Sequence, residues 1–136
     1  RAGLSPYFVA LSPVGTDQLI AELGVEAARG VQVAQVIPYP WGDKFAIVRD
    51  YKRDLAAHSR TAALSYYGLE GYINARLVVA ALERAGANPT RERLEAALRG
   101  APFDLGGFRV GFGPRSNEGS SYVEISVIGA NGRILN

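Results

Sequence analysis

Two small groups of residues are placed where they could contact a ligand. Ser12 and Pro13 directly follow an apolar run, residues 7–11, that is typical of a buried strand. In open α/β sheets, ligands bind at the carboxyl ends of the strands, which is where these two residues would lie. The second group is the pair Tyr66 and Tyr67, at the entrance of a long apolar helix. Two interpretations stay open: at least one ring faces a cleft, or both fill space between the helix and a sheet.

The chain offers few residues for catalysis. His58, the single histidine, has Asp54 four residues before it and Ser59 next to it. A lone histidine at a helix end is more typical of a solvated cap that interacts with the helix dipole. No serine lies in the strand-to-helix turn that a nucleophile needs. An α/β enzyme using Asp43, His58 or Ser65 is therefore a weak hypothesis, and we predict no catalytic residues.

Phosphate, metal and cofactor sites are not predicted either. The glycine-rich segment "GGFRVGFG", residues 106–113, alternates like a strand, whereas a phosphate loop must join a strand to a helix. Glu118 and Glu124 lack the spacing of an acid and base pair. The chain contains no cysteine and one histidine, so a zinc site is improbable.

Composition bounds the class of protein. The 136 residues are 48% hydrophobic and 21% charged, which suits a soluble globular α/β protein. The net charge is +2, with 15 basic and 13 acidic residues spread along the chain, so neither nucleic acid nor a membrane surface is a predicted partner. No apolar run is long enough for a membrane span. The start at Arg1, without methionine or signal peptide, suggests a fragment or a processed chain.

The periodicity of apolar residues predicts the elements that position these groups. We predict a strand at 7–11, then a helix from Thr16 or Asp17 to a cap at Gly24, with Leu19, Ile20 and Leu23 on one face, and then a strand at 31–37. Strand, helix and strand in this order form a parallel crossover unit, which predicts a doubly wound sheet. The segment "PYPWGDK", residues 38–44, then marks a boundary. Beyond this boundary we predict three helices: one at 45–57, a second that ends at Gly86, and a third from Thr90 to Gly100. A tail rich in strands follows, with strands at 108–113 and 121–129 and a turn at 131–132.

The order of these pieces resembles a known family. The stretches are "PYFVALSPVGTDQLIAELGVEAARGVQVAQVIPYP", a helix, "LEGYINARLVVAALERAG", "TRERLEAALRG" and "DLGGFRVGFGPRSNEGSSYVEISVIGANGRI". Together they resemble the carboxyl-terminal portion of type I periplasmic solute-binding proteins, closest to the branched-chain amino-acid (leucine/isoleucine/valine) receptors of ABC transporters. The resemblance implies Rossmann-like parallel-sheet lobes that are present only in part, with hinge closure around a ligand.

The resemblance also implies a division of the chain. Residues 1–43 would belong to the carboxyl-terminal lobe, residues 44–118 to the amino-terminal lobe, and residues 119–136 would cross back. The chain would then be the last third to half of a receptor, and a missing amino-terminal portion would be needed to close the cleft.

Site residues follow from the same resemblance. The family has an acidic residue for the ligand's α-ammonium just after the first strand, where this sequence has Ser12 or Pro13. A serine supplies no countercharge, so either another residue supplies it or the ligand is a different organic acid or amide. The family's ligand-packing aromatic lies five residues before the helix tyrosine, so with Tyr72 as that tyrosine it corresponds to Tyr67. Tyr66 keeps a packing role by default, although it stays within the predicted site.

The resemblance implies a non-catalytic solute receptor of an ABC importer. Its ligand would be a small amino acid or related organic acid, its partner a membrane permease, and its location periplasmic or extracellular and membrane-associated. A ligand-sensing regulatory domain on the same fold is the alternative. Ligand identity is not predicted.

Overall fold

The computed structural model describes residues 6–136. These divide into two compact units, residues 6–37 with 122–136, and residues 38–121. In chain order the helices and strands of this part are β1 (Val9–Leu11), α1 (Thr16–Ala28), β2 (Gln32–Gln35), α2 (Ala46–His58), α3 (Tyr66–Ala85), α4 (Arg91–Arg99), β3 (Phe103–Asp104), β4 (Arg109–Val110), β5 (Glu124–Ile128) and β6 (Ile134–Leu135). No helix among them combines the length and apolar character needed to cross a membrane.

The first unit is built on a mixed sheet of four strands in the order β1, β2, β5, β6. β1 and β2 are parallel, with Val9 opposite Gln32, which confirms the predicted crossover pair. β5 runs antiparallel to β2 and β6 antiparallel to β5. One sheet face packs against α1 in a core formed by Ala28, Val31, Val33 and Ile128, with Ala10, Leu19 and Ile20 against it.

Helix α1 differs from its prediction at both ends. Gly24 has φ +75°, the positive φ predicted for a C-cap glycine, and it interrupts the regular helix there, but a further helical turn that was not predicted continues to Ala28. Leu23, predicted on the same face as Leu19 and Ile20, is 53% exposed, whereas those two residues are half-buried. At the start, Gly15 occupies the N-cap position and makes no side-chain capping bond, so neither Thr16 nor Asp17 is the cap.

The other face of this sheet carries exposed apolar side chains. Because Ala10 faces the core, Val9 and Leu11 point away from it and are 64% and 68% exposed. Leu11 lies opposite Ala34, which lies opposite Ile125, so an apolar surface continues across three strands. Sheets of parallel strands are normally covered on both faces. This face, with Val9, Leu11, Ile125 and Leu135, is termed the open sheet face.

We expect the isolated 136-residue chain to self-associate through the open sheet face, because exposed apolar patches next to an edge strand promote association. Leu11→Lys should lower the weight-average mass measured by light scattering, since a lysine on an edge strand opposes pairing. Val78→Lys is the matched control, because Val78 is 51% exposed on α3. A monodisperse wild-type monomer would contradict the expectation.

The second unit combines three helices with a short hairpin. Ser65 caps α3 by accepting a hydrogen bond from the Gly68 amide at 3.0 Å, and Thr90 caps α4 by accepting from the Arg93 amide at 3.3 Å. The buried stripe of α3 recurs every four residues at Leu69, Ile73, Leu77 and Ala81, the spacing of one helix face. The predicted helix over 45–57 is confirmed as α2.

The hairpin of this unit was only partly predicted. The alternation over 108–113 predicts one strand, of which only Arg109–Val110 is paired, and its partner β3 was missed. Gly106 and Gly107, with φ +80° and +88°, form the tight turn between the two strands. The Gly106 carbonyl accepts a hydrogen bond from the Ile47 amide at 3.2 Å, which joins the turn to the first residues of α2.

Candidate functional site

Ser12 and Pro13 lie at the carboxyl end of β1, as predicted. They form a single 3₁₀ turn with Val14, and the Ser12 carbonyl accepts from the Gly15 amide at 3.1 Å. Gly15 has φ +71°, a conformation that glycine adopts without strain, and this lets the chain turn directly into α1. Ser12 is half-buried and Pro13 exposed, so both border solvent at the sheet edge.

A buried polar pair supports the neighbouring strand at this edge. The Gln35 side-chain amide donates to the Ser126 hydroxyl at 3.0 Å, and that hydroxyl lies 3.3 Å from the Val33 carbonyl, to which it donates. Gln35 and Ser126 are 2% and 0% exposed. Buried polar groups that are satisfied in this way fix the register of β2 and β5.

Two further oxygens at this edge are buried and have no hydrogen-bond partner within the described residues. They are Oε1 of Glu124 and Oγ1 of Thr16. The other carboxylate oxygen of Glu124 accepts a hydrogen bond from the Tyr122 hydroxyl. Glu124 lies directly opposite Gln35 in the sheet. Neither residue was predicted as a site residue, because the burial of Glu124 depends on strand register and that of Thr16 on how α1 packs, and no local motif marks either one.

Asp17 is a second carboxylate near this edge, in the first turn of α1. Partial desolvation of this exposed residue raises the pKa of Asp17, because desolvation disfavours the charged form.

The tyrosine pair lies in the first turn of α3, in the second unit. Tyr66 is 7% exposed, and its ring meets the Trp41 ring edge-on, with centroids 5.8 Å apart. Trp41 in turn packs at 5.2 Å from the Tyr39 ring. Tyr67 is 50% exposed. The two rings therefore have different environments: Tyr66 belongs to an aromatic cluster, and Tyr67 presents much of its surface to solvent.

Tyr72, from which the predicted role of Tyr67 was counted, is hydrogen-bonded to charged side chains. Its hydroxyl donates to the Asp54 carboxylate at 2.6 Å and accepts from Arg76 at 3.0 Å. The hydrogen bond from Tyr72, followed by that from Arg53, lowers the pKa of Asp54. Burial and then the bond to Asp54 raise the pKa of Tyr72. This network joins α2 to α3 in the helical turn that follows Tyr67.

The residues considered for catalysis each have a structural partner. His58 is exposed at the end of α2, with Nδ1 2.9 Å from the Asp54 carbonyl. Asp43 forms an ion pair with Lys52, and this pair lowers the pKa of Asp43. Ser65 caps α3. In residues 6–136, no three histidine or acidic side chains are grouped so that they could hold a metal ion.

A family model described as periplasmic binding protein matches residues 1–133. The chain belongs to the periplasmic binding protein family. Among proteins of curated function, none matches the chain. Solved structures match it over nearly its whole length, and the α/β fold of type I periplasmic binding proteins that the sequence predicted is confirmed.

Three of these structures exceed 30% identity. A possible leucine/isoleucine/valine-binding protein from Rhodopirellula baltica is 34% identical to this chain, with a TM-score of 0.86. The match covers 98% of this chain and 36% of the length of that protein. A substrate-binding periplasmic protein from Ralstonia solanacearum is 35% identical, with a TM-score of 0.84 and coverages of 98% and 38%. An extracellular ligand-binding receptor from Verminephrobacter eiseniae is 32% identical, with a TM-score of 0.83 and coverages of 96% and 37%.

The chain thus spans little more than a third of the length of each of these binding proteins. The name of the Rhodopirellula baltica protein agrees with the predicted resemblance to branched-chain amino-acid receptors, which is confirmed at the level of the family. Because all three proteins are named as binding proteins and not as enzymes, the comparisons favour ligand binding over catalysis.

Proposed function

We propose that this chain is part of an extracellular or periplasmic receptor that binds a small amino acid or related organic acid for an ABC importer. The observation that carries the proposal is the family match over residues 1–133. It is supported by the polar residues at the carboxyl end of β1 and by an exposed tyrosine on α3, whose Tyr72 is hydrogen-bonded to α2.

The two units correspond, in this proposal, to parts of the two lobes. Residues 6–37 with 122–136 would form part of the carboxyl-terminal lobe, and residues 38–121 part of the amino-terminal lobe. Ser12 and Pro13 would then contact ligand from one lobe, and Tyr67 from the other. Tyr66 would contribute by packing against Trp41 beneath the site. Contacts from both lobes stabilise the closed state of a hinged receptor, because they form together only on closure.

The permease of the importer is the proposed protein partner, and the remaining part of the receptor would complete both lobes. The importer role is preferred to a regulatory role because the Ralstonia solanacearum relative is a substrate-binding periplasmic protein. Neither catalytic residues nor a cofactor form part of the proposal.

Calorimetric titration of the complete receptor with amino acids and small carboxylates tests the function. Binding of at least one of them in the micromolar range or tighter is expected, at a stoichiometry of about one, since receptors of this class enclose one ligand in a concave site. Absence of heat with every compound, for a receptor that is folded by circular dichroism, would contradict the proposal.

Tyr67→Ala should weaken ligand binding by about 1 to 3 kcal/mol, the usual cost of removing a packed aromatic contact. Half of the Tyr67 surface is exposed, so the fold should be little affected. The measurement is the dissociation constant of the intact receptor for whichever compound binds in the titration. Tyr7→Ala is the control, since Tyr7 is 90% exposed and lies before the amino end of β1. An unchanged constant for Tyr67→Ala would show that this ring is a spacer.

A further inference from the structure

We propose that a groove beside α4 is a second binding site, which takes a small carboxylate with an apolar body. The groove lies within the second unit, between one face of α4 and the segment that follows β4, and has a volume of about 470 Å³. Sites for small molecules have volumes of about 300 to 1,000 Å³. None of Ser12, Pro13, Tyr66 and Tyr67 lines this α4 groove, so the proposal goes beyond the receptor function and does not depend on it.

The apolar part of the lining comes from both sides of the groove. The α4 residues that line it, at positions 91, 94, 95, 98 and 99, have the spacing of one helix face. Leu94 and Leu98 lie within this face, and Phe112 lines the groove from the segment after β4. All three side chains are half-buried and keep apolar surface open to solvent. Covering that surface with the apolar body of a ligand is favourable.

One arginine fixes the shape of the groove. Arg99 donates to the Gly113 carbonyl at 2.8 Å and to the Asn117 side-chain oxygen at 3.1 Å. Its Nε donates to the Glu95 carboxylate at 3.2 Å. These bonds tie the segment after β4 to the last turn of α4, so the groove is formed before a ligand binds. A preformed site avoids the cost of ordering side chains and loops on binding.

The charges of the lining favour an anion. Glu95 and Arg99 form an ion pair with each other, which leaves Arg91 as the remaining charged group of the groove. Arg91 is exposed, and it has no ion pair or side-chain hydrogen bond within residues 6–136. Its neighbour Glu92 does not line the groove, because adjacent helical residues do not share a face. A free guanidinium next to apolar side chains is complementary to a carboxylate on an apolar body.

The test compares two probes that differ in charge. 4-Phenylbutanoate and 4-phenylbutan-1-ol share the apolar body, but only 4-phenylbutanoate carries a carboxylate. It should bind the complete receptor with a dissociation constant of about 0.1 to 5 mM in an NMR titration, the affinity expected for a ligand of this size in an open groove. Arg91→Gln should weaken its binding about 3- to 10-fold, less than for a buried charge-assisted bond because Arg91 is exposed. Binding of the alcohol should change by less than about twofold, because it lacks the charge that Arg91 contacts.

Two further variants locate the probe. Leu98→Ala should weaken the binding of both probes by similar factors, because it removes apolar lining that both bodies contact. Arg109→Gln is the matched control for Arg91→Gln, since Arg109 is exposed on β4 and does not line the groove. It should leave the binding of both probes unchanged.

The remaining outcomes overturn the proposal. Absence of 4-phenylbutanoate binding up to about 20 mM would do so, as is expected if another part of the receptor covers the groove. Equal losses for both probes in Arg91→Gln would show that Arg91 does not recognise the carboxylate. Binding that is lost in Tyr67→Ala but kept in Arg91→Gln would place the probe in the proposed cleft. Each of these results leaves the receptor function intact, because that function is tested by the titration with amino acids and small carboxylates.

Discussion

Gly106→Ala is expected to destabilise the second unit by about 2 to 5 kcal/mol. A non-glycine residue with left-handed φ costs about 1 to 2 kcal/mol, and overpacking typically adds about 1 to 3 kcal/mol. Gly106 has φ +80°, and a Cβ built there would lie 2.7 Å from the Ile47 backbone nitrogen and 3.1 Å from the Ala46 Cβ. Backbone cannot move aside as a flexible side chain does. The same residue accepts the Ile47 amide hydrogen bond, so the change also disturbs the start of α2.

Urea unfolding followed by Trp41 fluorescence measures this loss, because the single tryptophan lies in the second unit against Tyr66. Gly86→Ala is the control: Gly86 has φ +87°, but its Cβ would meet nothing within 4 Å. That variant carries a conformational cost without a clash, so a greater loss in Gly106→Ala reports the contact with α2. If Gly106→Ala and Gly86→Ala lower the free energy of unfolding by the same amount relative to wild type, the contact between the hairpin turn and α2 is not tight.

The predicted parts of the fold are those with local causes. Helix α4 follows from Thr90, whose side chain caps it, and α2 from apolar residues at helical spacing. Strand β3 was missed because Phe103–Asp104 is too short to show any periodicity. The turn of α1 beyond Gly24 was missed because a glycine normally ends a helix, whereas here Ala28 is buried in the core and holds the last turn in place.

The candidate site was likewise predicted only where its residues follow from a local sequence pattern. The position of Ser12 at a strand end follows from the sequence, since the apolar run before it is visible. The contrast between buried Tyr66 and exposed Tyr67 depends on where Trp41 packs, which no local pattern specifies. Glu124 becomes a candidate only once its pairing with Gln35 brings it to the edge where β2 ends, a contact between residues far apart in the chain. Local patterns thus predicted the strand end, whereas the position of Glu124 depends on long-range strand register.

Gly68→Ala and Gly71→Ala, one turn apart on α3, should change stability in opposite directions. A Cβ at Gly68 would overlap the Tyr51 hydroxyl and lie 3.2 Å from the Tyr51 Cζ, and Tyr51 is only 4% exposed. The buried ring must shift, and its contact with the Tyr72 ring, at 5.6 Å, shifts with it. Overpacking of about 1 to 3 kcal/mol exceeds the gain of about 0.5 to 1 kcal/mol from replacing a helical glycine.

At Gly71 only that gain applies, because a Cβ there meets nothing within 4 Å. Gly71→Ala should therefore stabilise the second unit by about 0.5 to 1 kcal/mol, and Gly68→Ala should destabilise it by about 1 to 2 kcal/mol, both measured by urea unfolding. Adding Tyr51→Phe to Gly68→Ala removes the nearest clashing atom and should restore part of the loss, so the two changes are not additive. If Gly68→Ala is instead as stabilising as Gly71→Ala, the Tyr51 ring has room to move. The first turn of α3, which presents Tyr67, would then be less rigidly supported than the network of Tyr72, Asp54 and Arg76 implies.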